Sequence, residues 1–150
     1  MEELQLDPSL VHLSFLIGSW QTEGEVMQTS KSPELKIKGT DSYEWSLDGN
    51  FIMHKASVMM GDAPTEVIEF IGVHEREKDA YELRSFDNSG TFTAMYGSID
   101  DGTFYVTGKN MRSRLTPNKD GGGMSAHWER SEDGKKWISW MNLRFKKIRL

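Results

Sequence analysis

Turn residues divide most of this chain into ten short segments of β character, and this division constrains the fold more than any other feature. Turns such as Asp48-Gly49 and Glu132-Asp133-Gly134 recur about every 8–15 residues. Because the connections are short, segments that are neighbours in sequence should pair in space as an up-and-down antiparallel sheet. An open sheet would leave two unpaired edges, which closure removes. The sequence therefore predicts an all-β fold, an antiparallel up-and-down β-barrel of about ten strands.

A short apolar stretch precedes the first β segment and has helical spacing. Its apolar side chains between residues 10 and 17 recur three and four apart, with Ser9 as a possible N-cap and Gly18 at the end. From Ser19 the period changes to two, which places Trp20 and Thr22 on the same face of a half-buried strand. We expect one or two helical turns followed directly by the barrel.

Composition limits the class of protein. At 150 residues we expect one domain spanning residues 1–150. A formal net charge of −5 argues against nucleic acid or an anionic membrane as the main partner. The chain has no cysteine, which excludes disulfides and thiolate chemistry, and residues 1–4 lack the basic start of a secretory signal. We therefore expect a cytoplasmic protein.

A barrel this wide should enclose a cavity for an apolar or amphipathic ligand. Aromatic, methionine and polar side chains within the β segments are the candidate contacts. An inward arginine could bind a carboxylate or phosphate in a bidentate manner, although strand alternation could also point the arginines outward or pair them with glutamates. The predicted ligand-binding residues are Tyr43, His54, Arg84, Tyr96, Arg114, Trp128 and Met141.

The sequence carries no catalytic or metal-binding motif. It has no Gly-x-Ser-x-Gly elbow, and the glycine run at residues 121–123 is not followed by the Lys-Ser/Thr pair of a phosphate loop. The four histidines are not spaced as metal ligands, and His54 and His127 are the two expected to face inward. No catalytic or metal-ligating residue is predicted.

The segment Leu16-Ile17-Gly18-Ser19-Trp20, with a further glycine four residues on, resembles the opening of the calycin superfamily. That superfamily includes lipocalins, fatty-acid-binding proteins and nitrobindin-like haem barrels. Nearly the whole chain is similar to a bacterial family of lipocalin-like proteins that is known as a domain of unknown function. The further matching motifs lie at residues 47–51, 70–73, 86–90 and 96–100.

The resemblance implies a barrel closed at one end by the helix. It also implies a structural closure in which Gly18 and Trp20 meet a basic residue of the last strand, for which Arg144 is the candidate. Nitrobindin-like relatives bind haem through a histidine close to the C-terminus. The predicted last strand here has no histidine, and the last one in the chain is His127. Haem is therefore a disfavoured cofactor.

These observations favour a protein that binds a small hydrophobic or amphipathic molecule inside its barrel. Three alternatives stay open: a haem-binding nitrobindin-like protein, an isomerase or cyclase that acts by shaping its substrate, and an interaction module that forms a homodimer through an exposed strand face.

Overall fold

The computed structural model describes residues 6–77 and 80–149, and these form a closed antiparallel barrel of ten strands. Each strand pairs with its neighbours in sequence, and the first strand pairs with the last. This confirms the predicted all-β barrel. Residues 1–4, on which the expectation about a secretory signal was based, lie outside the described residues. The strands are β1 (Gly18–Val26), β2 (Leu35–Ser46), β3 (Phe51–Met60), β4 (Ala63–Val73), β5 (Ala80–Asp87), β6 (Phe92–Asp100), β7 (Thr103–Thr107), β8 (Met111–Pro117), β9 (Gly123–Arg130) and β10 (Ile138–Lys147).

A short 3₁₀ helix (Leu10–Leu16) closes one end of the barrel. Leu10, Leu13 and Leu16 are fully buried and belong to the main hydrophobic core. The indole Nε1 of Trp20 donates a hydrogen bond to the carbonyl oxygen of Leu16 at 2.8 Å. The helix is therefore tied to β1 immediately after it ends.

Ser9 lies at the N-cap position of this helix, but its side chain makes no capping hydrogen bond, so the expected cap is wrong. The Asp7 carboxylate instead accepts a hydrogen bond from the backbone N–H of Ser9 at 2.8 Å. The Tyr81 hydroxyl donates to the carbonyl oxygen of Ser9 at 2.6 Å. These two bonds fix the chain where it enters the helix.

Trp20 meets a basic side chain of β10, as the resemblance implied, but that residue is Lys147 rather than Arg144. Lys147 lies opposite Trp20 in the β1–β10 ladder, and its ammonium group is 5.3 Å from the indole ring centre. The φ of Gly18 is 138°, and a Cβ there would lie 2.8 Å from Cε of Lys147. Arg144 points to the outer face, where its guanidinium forms two hydrogen bonds of 3.0 Å with Glu25.

The buried side chains form two apolar clusters within the barrel. The larger one includes the helix, and the smaller one consists of Ile37, Val58 and Met141. Trp128 and Leu143 are partly buried and pack against both clusters. These two side chains therefore connect the two parts of the core.

Gly39 of β2 is held against the backbone of β3. A Cβ at this position would lie 2.2 Å from the carbonyl oxygen of Ser57 and 2.6 Å from Cα of Val58. Backbone atoms of a paired strand have little freedom to move away, so the close approach of β2 and β3 at this position requires glycine.

We expect Gly39→Ala to lower the free energy of unfolding by about 1–3 kcal/mol, because the added methyl group overpacks the β2–β3 ladder. The matched control is Gly122→Ala, where the nearest atom would be 3.5 Å away, in ordinary van der Waals contact. Urea unfolding followed by tryptophan fluorescence measures both variants. Equal stability of the two would contradict the close approach at Gly39.

Candidate functional site

Three ionisable side chains face the barrel interior from consecutive strands. They are Asp41 of β2, His54 of β3 and Glu69 of β4, and we refer to them as the Asp41–His54–Glu69 cluster. Asp41 and Glu69 are 6% and 8% exposed, and the His54 side chain is 14% exposed. Each carboxylate lies two residues before a buried side chain of its own strand, Tyr43 or Ile71, so alternation places it on the inner face.

The strand registers bring the three groups into hydrogen-bond contact. His54 lies directly opposite Glu69 and diagonal to Asp41. Its Nε2 is 2.6 Å from Oδ2 of Asp41, and its Nδ1 is 3.0 Å from Oε1 of Glu69. The fully buried hydroxyl of Thr22 donates to Oδ1 of Asp41. The result is one chain of hydrogen bonds across the inner faces of β1 to β4.

The environment of the cluster favours a protonated imidazole. Burial would lower the pKa of His54, but hydrogen bonds with Asp41 and Glu69 and their negative charges raise it to about 9. The ring of Tyr43 stacks on His54 with a centroid distance of 4.0 Å and an interplanar angle of 5°. Burial is the main cause that raises the pKa of the Tyr43 hydroxyl well above its usual value, and the negative charges of Asp41 and Glu69 raise it further. This hydroxyl therefore stays neutral.

An internal cavity of about 90 Å³ lies beside the cluster. Its polar wall comes from β2 to β4 and its largely apolar wall from β5 to β10. Drug-sized ligands occupy pockets of roughly 300–1,000 Å³, so this cavity is suited to a much smaller molecule. It is lined by Leu16, Asp41, Tyr43, His54, Glu69, Ile71, Leu83, Met95, Phe104, Val106, Ser113, Leu115, Ala126, Trp128, Leu143 and Phe145.

Several polar atoms of the cavity wall have no protein partner. Among the described residues, nothing hydrogen-bonds to the second carboxylate oxygen of Glu69 or to the hydroxyls of Tyr43 and Ser113. All three side chains are at least nine-tenths buried. The Nε of Arg130 is the one fully buried side-chain polar atom without a partner among the described residues, so these three atoms keep some accessible surface and are available to a molecule in the cavity.

The structure brings three of the seven predicted ligand-binding residues to the cavity. Tyr43, His54 and Trp128 all line it, and the Trp128 ring also packs edge-on against Trp140 at 6.2 Å. Met141 is buried but belongs to the smaller apolar cluster and is not part of the cavity wall.

The other three predicted residues lie on the outer face of the barrel. Arg84 is exposed beside Glu82, Tyr96 is 55% exposed, and Arg114 lines a groove on the outer surface. The expectation that Arg84 or Arg114 points inward is therefore wrong, because strand alternation assigns the inner positions to their apolar neighbours. Those inner neighbours are Leu83, Met95 and Leu115.

His127 also faces outward, contrary to expectation, and its Nδ1 is 2.6 Å from the side-chain oxygen of Asn142. The residues present do not fit a haem group. Both ring nitrogens of His54 are occupied by carboxylates, and the cavity is far too small for a porphyrin. Within the described part of the chain, no group of three or more His, Cys, Asp or Glu side chains is arranged to hold a metal ion.

The outer face carries one short apolar row. Ile68, Phe86 and Phe92 occupy adjacent positions on β4, β5 and β6, and they are 42%, 50% and 57% exposed. The rings of Phe86 and Phe92 are 5.2 Å apart. The homodimer through an exposed strand face, which the sequence suggested, stays a prediction.

The fold and the cavity define a closed up-and-down β-barrel with an internal polar cluster. Residues 9–126 match the model of the family described as "Protein of unknown function (DUF1579)", and the chain belongs to this family. A comparison with curated proteins finds no match.

Two solved structures share the fold. Rv2717c from M. tuberculosis has a TM-score of 0.72 and 16% identity over 97% of this chain and 100% of that chain. The S-type phycobiliprotein lyase CPES from Guillardia theta has a TM-score of 0.67 and 8% identity over 91% of this chain and 90% of that chain. At these identities the likeness shows the barrel architecture alone.

Among residues 6–77 and 80–149, no helix has the length and apolar character needed to cross a bilayer.

Proposed function

We propose that this protein binds a small amphipathic molecule in the cavity beside the Asp41–His54–Glu69 cluster. The observation that supports this most strongly is the contrast between the two walls of the cavity. One wall carries unpartnered polar atoms of Tyr43 and Glu69, whereas the other is mainly aliphatic and aromatic. A molecule with a polar head and an apolar body would satisfy both walls at once.

The arrangement of His54 favours binding over acid–base catalysis. A general base must have a free nitrogen at working pH, but both nitrogens of this ring face carboxylate oxygens. With its pKa raised to about 9 by those same carboxylates, despite burial, the imidazole holds its proton at neutral pH. His54 therefore acts as a fixed part of the cavity wall.

Filling the cavity should abolish binding without removing any polar group. Ala126 is 5% exposed and lines the cavity, so we expect Ala126→Leu to occupy the space intended for a ligand. The probe is 1-butanol, a small neutral amphipath, and the measurement is an NMR titration that follows the indole N–H signal of Trp128. We expect saturable shifts for the wild-type protein and none for Ala126→Leu.

The matched control is Ala94→Leu, which places the same side chain on the exposed outer face of β6. It should titrate like the wild-type protein. An Ala126→Leu variant that binds butanol as well as the wild-type protein does would refute binding in this cavity.

A further inference from the structure

We propose that the cavity selects a small organic cation, with its ammonium group at the Asp41–His54–Glu69 cluster and its alkyl part against the apolar wall. This inference rests on the proposed function and names the chemical class of the ligand.

The hydrogen-bond geometry fixes the charge of the cluster. Both ring nitrogens of His54 face carboxylate oxygens, and each of these contacts requires a proton between the two atoms. The cluster therefore holds an imidazolium between two carboxylates, with a net charge of about −1 from the ordinary ionic states of these groups. If the second ring proton moved to one of the two carboxylates, the net charge of the cluster would still be about −1.

This negative charge has no basic counterpart among the described residues that line the cavity. The lining residues include neither lysine nor arginine. Arg84, Arg114 and Arg144 are on the outer face. Arg130, whose Nε is buried without a partner, lies over the ring of Trp140 at 5.8 Å and is not part of the cavity wall. An uncompensated charge in a buried site is costly, so a positively charged guest gains more there than a neutral one.

The unpartnered acceptors define where such a guest would be held. The second oxygen of Glu69 can accept one N–H of an ammonium group, and the hydroxyls of Tyr43 and Ser113 can accept others. Hydrogen bonds between a charged donor and a carboxylate are the strongest of this kind. Leu83, Met95 and Phe104 offer an apolar surface for a short alkyl chain.

A panel of probes that differ mainly in charge tests the inference. The probes are n-butylammonium, 1-butanol and propionate, which have equal numbers of non-hydrogen atoms, and each is titrated at pH 7 while the Trp128 indole signal is followed by NMR. We expect n-butylammonium to bind about tenfold more tightly than 1-butanol, and propionate to show no saturable shift.

Glu69→Gln provides the second arm, because it preserves the shape of the side chain and removes one negative charge. We expect it to weaken n-butylammonium binding about tenfold and to leave butanol binding within about twofold. Glu82→Gln is the matched control, since Glu82 pairs with Arg84 on the outer face and should leave both affinities unchanged.

The outcomes separate the two proposals. If butanol and n-butylammonium bind with equal affinity, or propionate binds best, the cavity binds ligands but does not select cations. If no probe binds, the proposed function fails as well. The panel on the wild-type protein decides the question even if Glu69→Gln does not fold.

Discussion

Replacing His54 with leucine is expected to lower the free energy of unfolding by about 3–5 kcal/mol. The imidazole is the shared hydrogen-bond donor to Asp41 and Glu69, which are 6% and 8% exposed. Its removal would leave two carboxylates facing each other in the interior with no positive charge between them. Chemical denaturation at pH 7, followed by tryptophan fluorescence, measures the loss.

Two further variants distinguish an electrostatic cause from a loss of packing. His127→Leu removes a histidine of the outer face that contacts the side chains of Asn142 and Ser139, and it should change stability by about 1 kcal/mol or less. The triple variant Asp41→Asn/His54→Leu/Glu69→Gln removes the charges together with the ring, and it should be more stable than His54→Leu alone. A triple variant that is less stable would show that packing of the imidazole dominates.

Raising the pH through the range from about 6.5 to about 9 is expected to destabilise the protein by about 3 kcal/mol through His54 alone. The groups that face this ring are Asp41 and Tyr43 from β2 and Glu69 from β4. Burial opposes protonation, but the two carboxylates outweigh it, so the folded protein holds the proton more tightly than the unfolded chain. The stabilisation is therefore complete below pH 6.5 and is lost as the pH approaches and passes 9.

The measurement is the free energy of unfolding in urea at a series of pH values from 6 to about 9.5, for the wild-type protein and His54→Leu. Groups outside the cluster titrate equally in both proteins, and the same pH series on the triple variant Asp41→Asn/His54→Leu/Glu69→Gln, whose cluster has no ionisable group, separates this imidazole from the carboxylates left unpaired in His54→Leu. We expect the difference to be largest at the acidic end and to shrink with rising pH. A difference that is constant, or that grows with pH, would contradict a proton held by the cluster.

The barrel itself was predictable because its information is local. Turn residues such as Asp48-Gly49 set the connections, and the alternation of Trp20 and Thr22 identified the inner face of β1. The N-terminal helix followed from apolar spacing. Each of these signals spans only a few residues, so it does not depend on the three-dimensional partners of the strand.

For the arginines of β5 and β8, strand alternation indicates the direction of the side chain more reliably than the chemistry of the side chain does. Leu83 and Leu115 occupy inner positions, so Arg84 and Arg114 must point outward in regular strands. The same rule identifies Lys147 rather than Arg144 as the inward basic residue, because Lys147 lies two residues after the buried Phe145 and therefore on the same face of β10. An arginine that could bind an anion is informative only when the strand pattern also places it inside.

The polar cluster could be located only in part. Alternation places Asp41 with Tyr43 on the inner face. The function of a buried carboxylate cannot be inferred, however, until the side chains that contact it are known. The contacts with His54 and Glu69 arise from the β2–β3 and β3–β4 registers, which are properties of strand pairs. A shift of one residue in either register would have turned the groups to opposite faces.

The pairing of β1 with β10 has a consequence for how the molecule reaches its native state. This ladder joins the first strand to the last, so almost the whole chain forms the loop that must be closed before its contacts are made. The other ladders join strands that are neighbours in sequence, so this one contributes the pairing of highest sequence separation, and pairings of that kind slow folding. Pairing of β1 with β10 is therefore expected to be a slow step of folding. Until it occurs, one edge of each of these two strands has no hydrogen-bond partner.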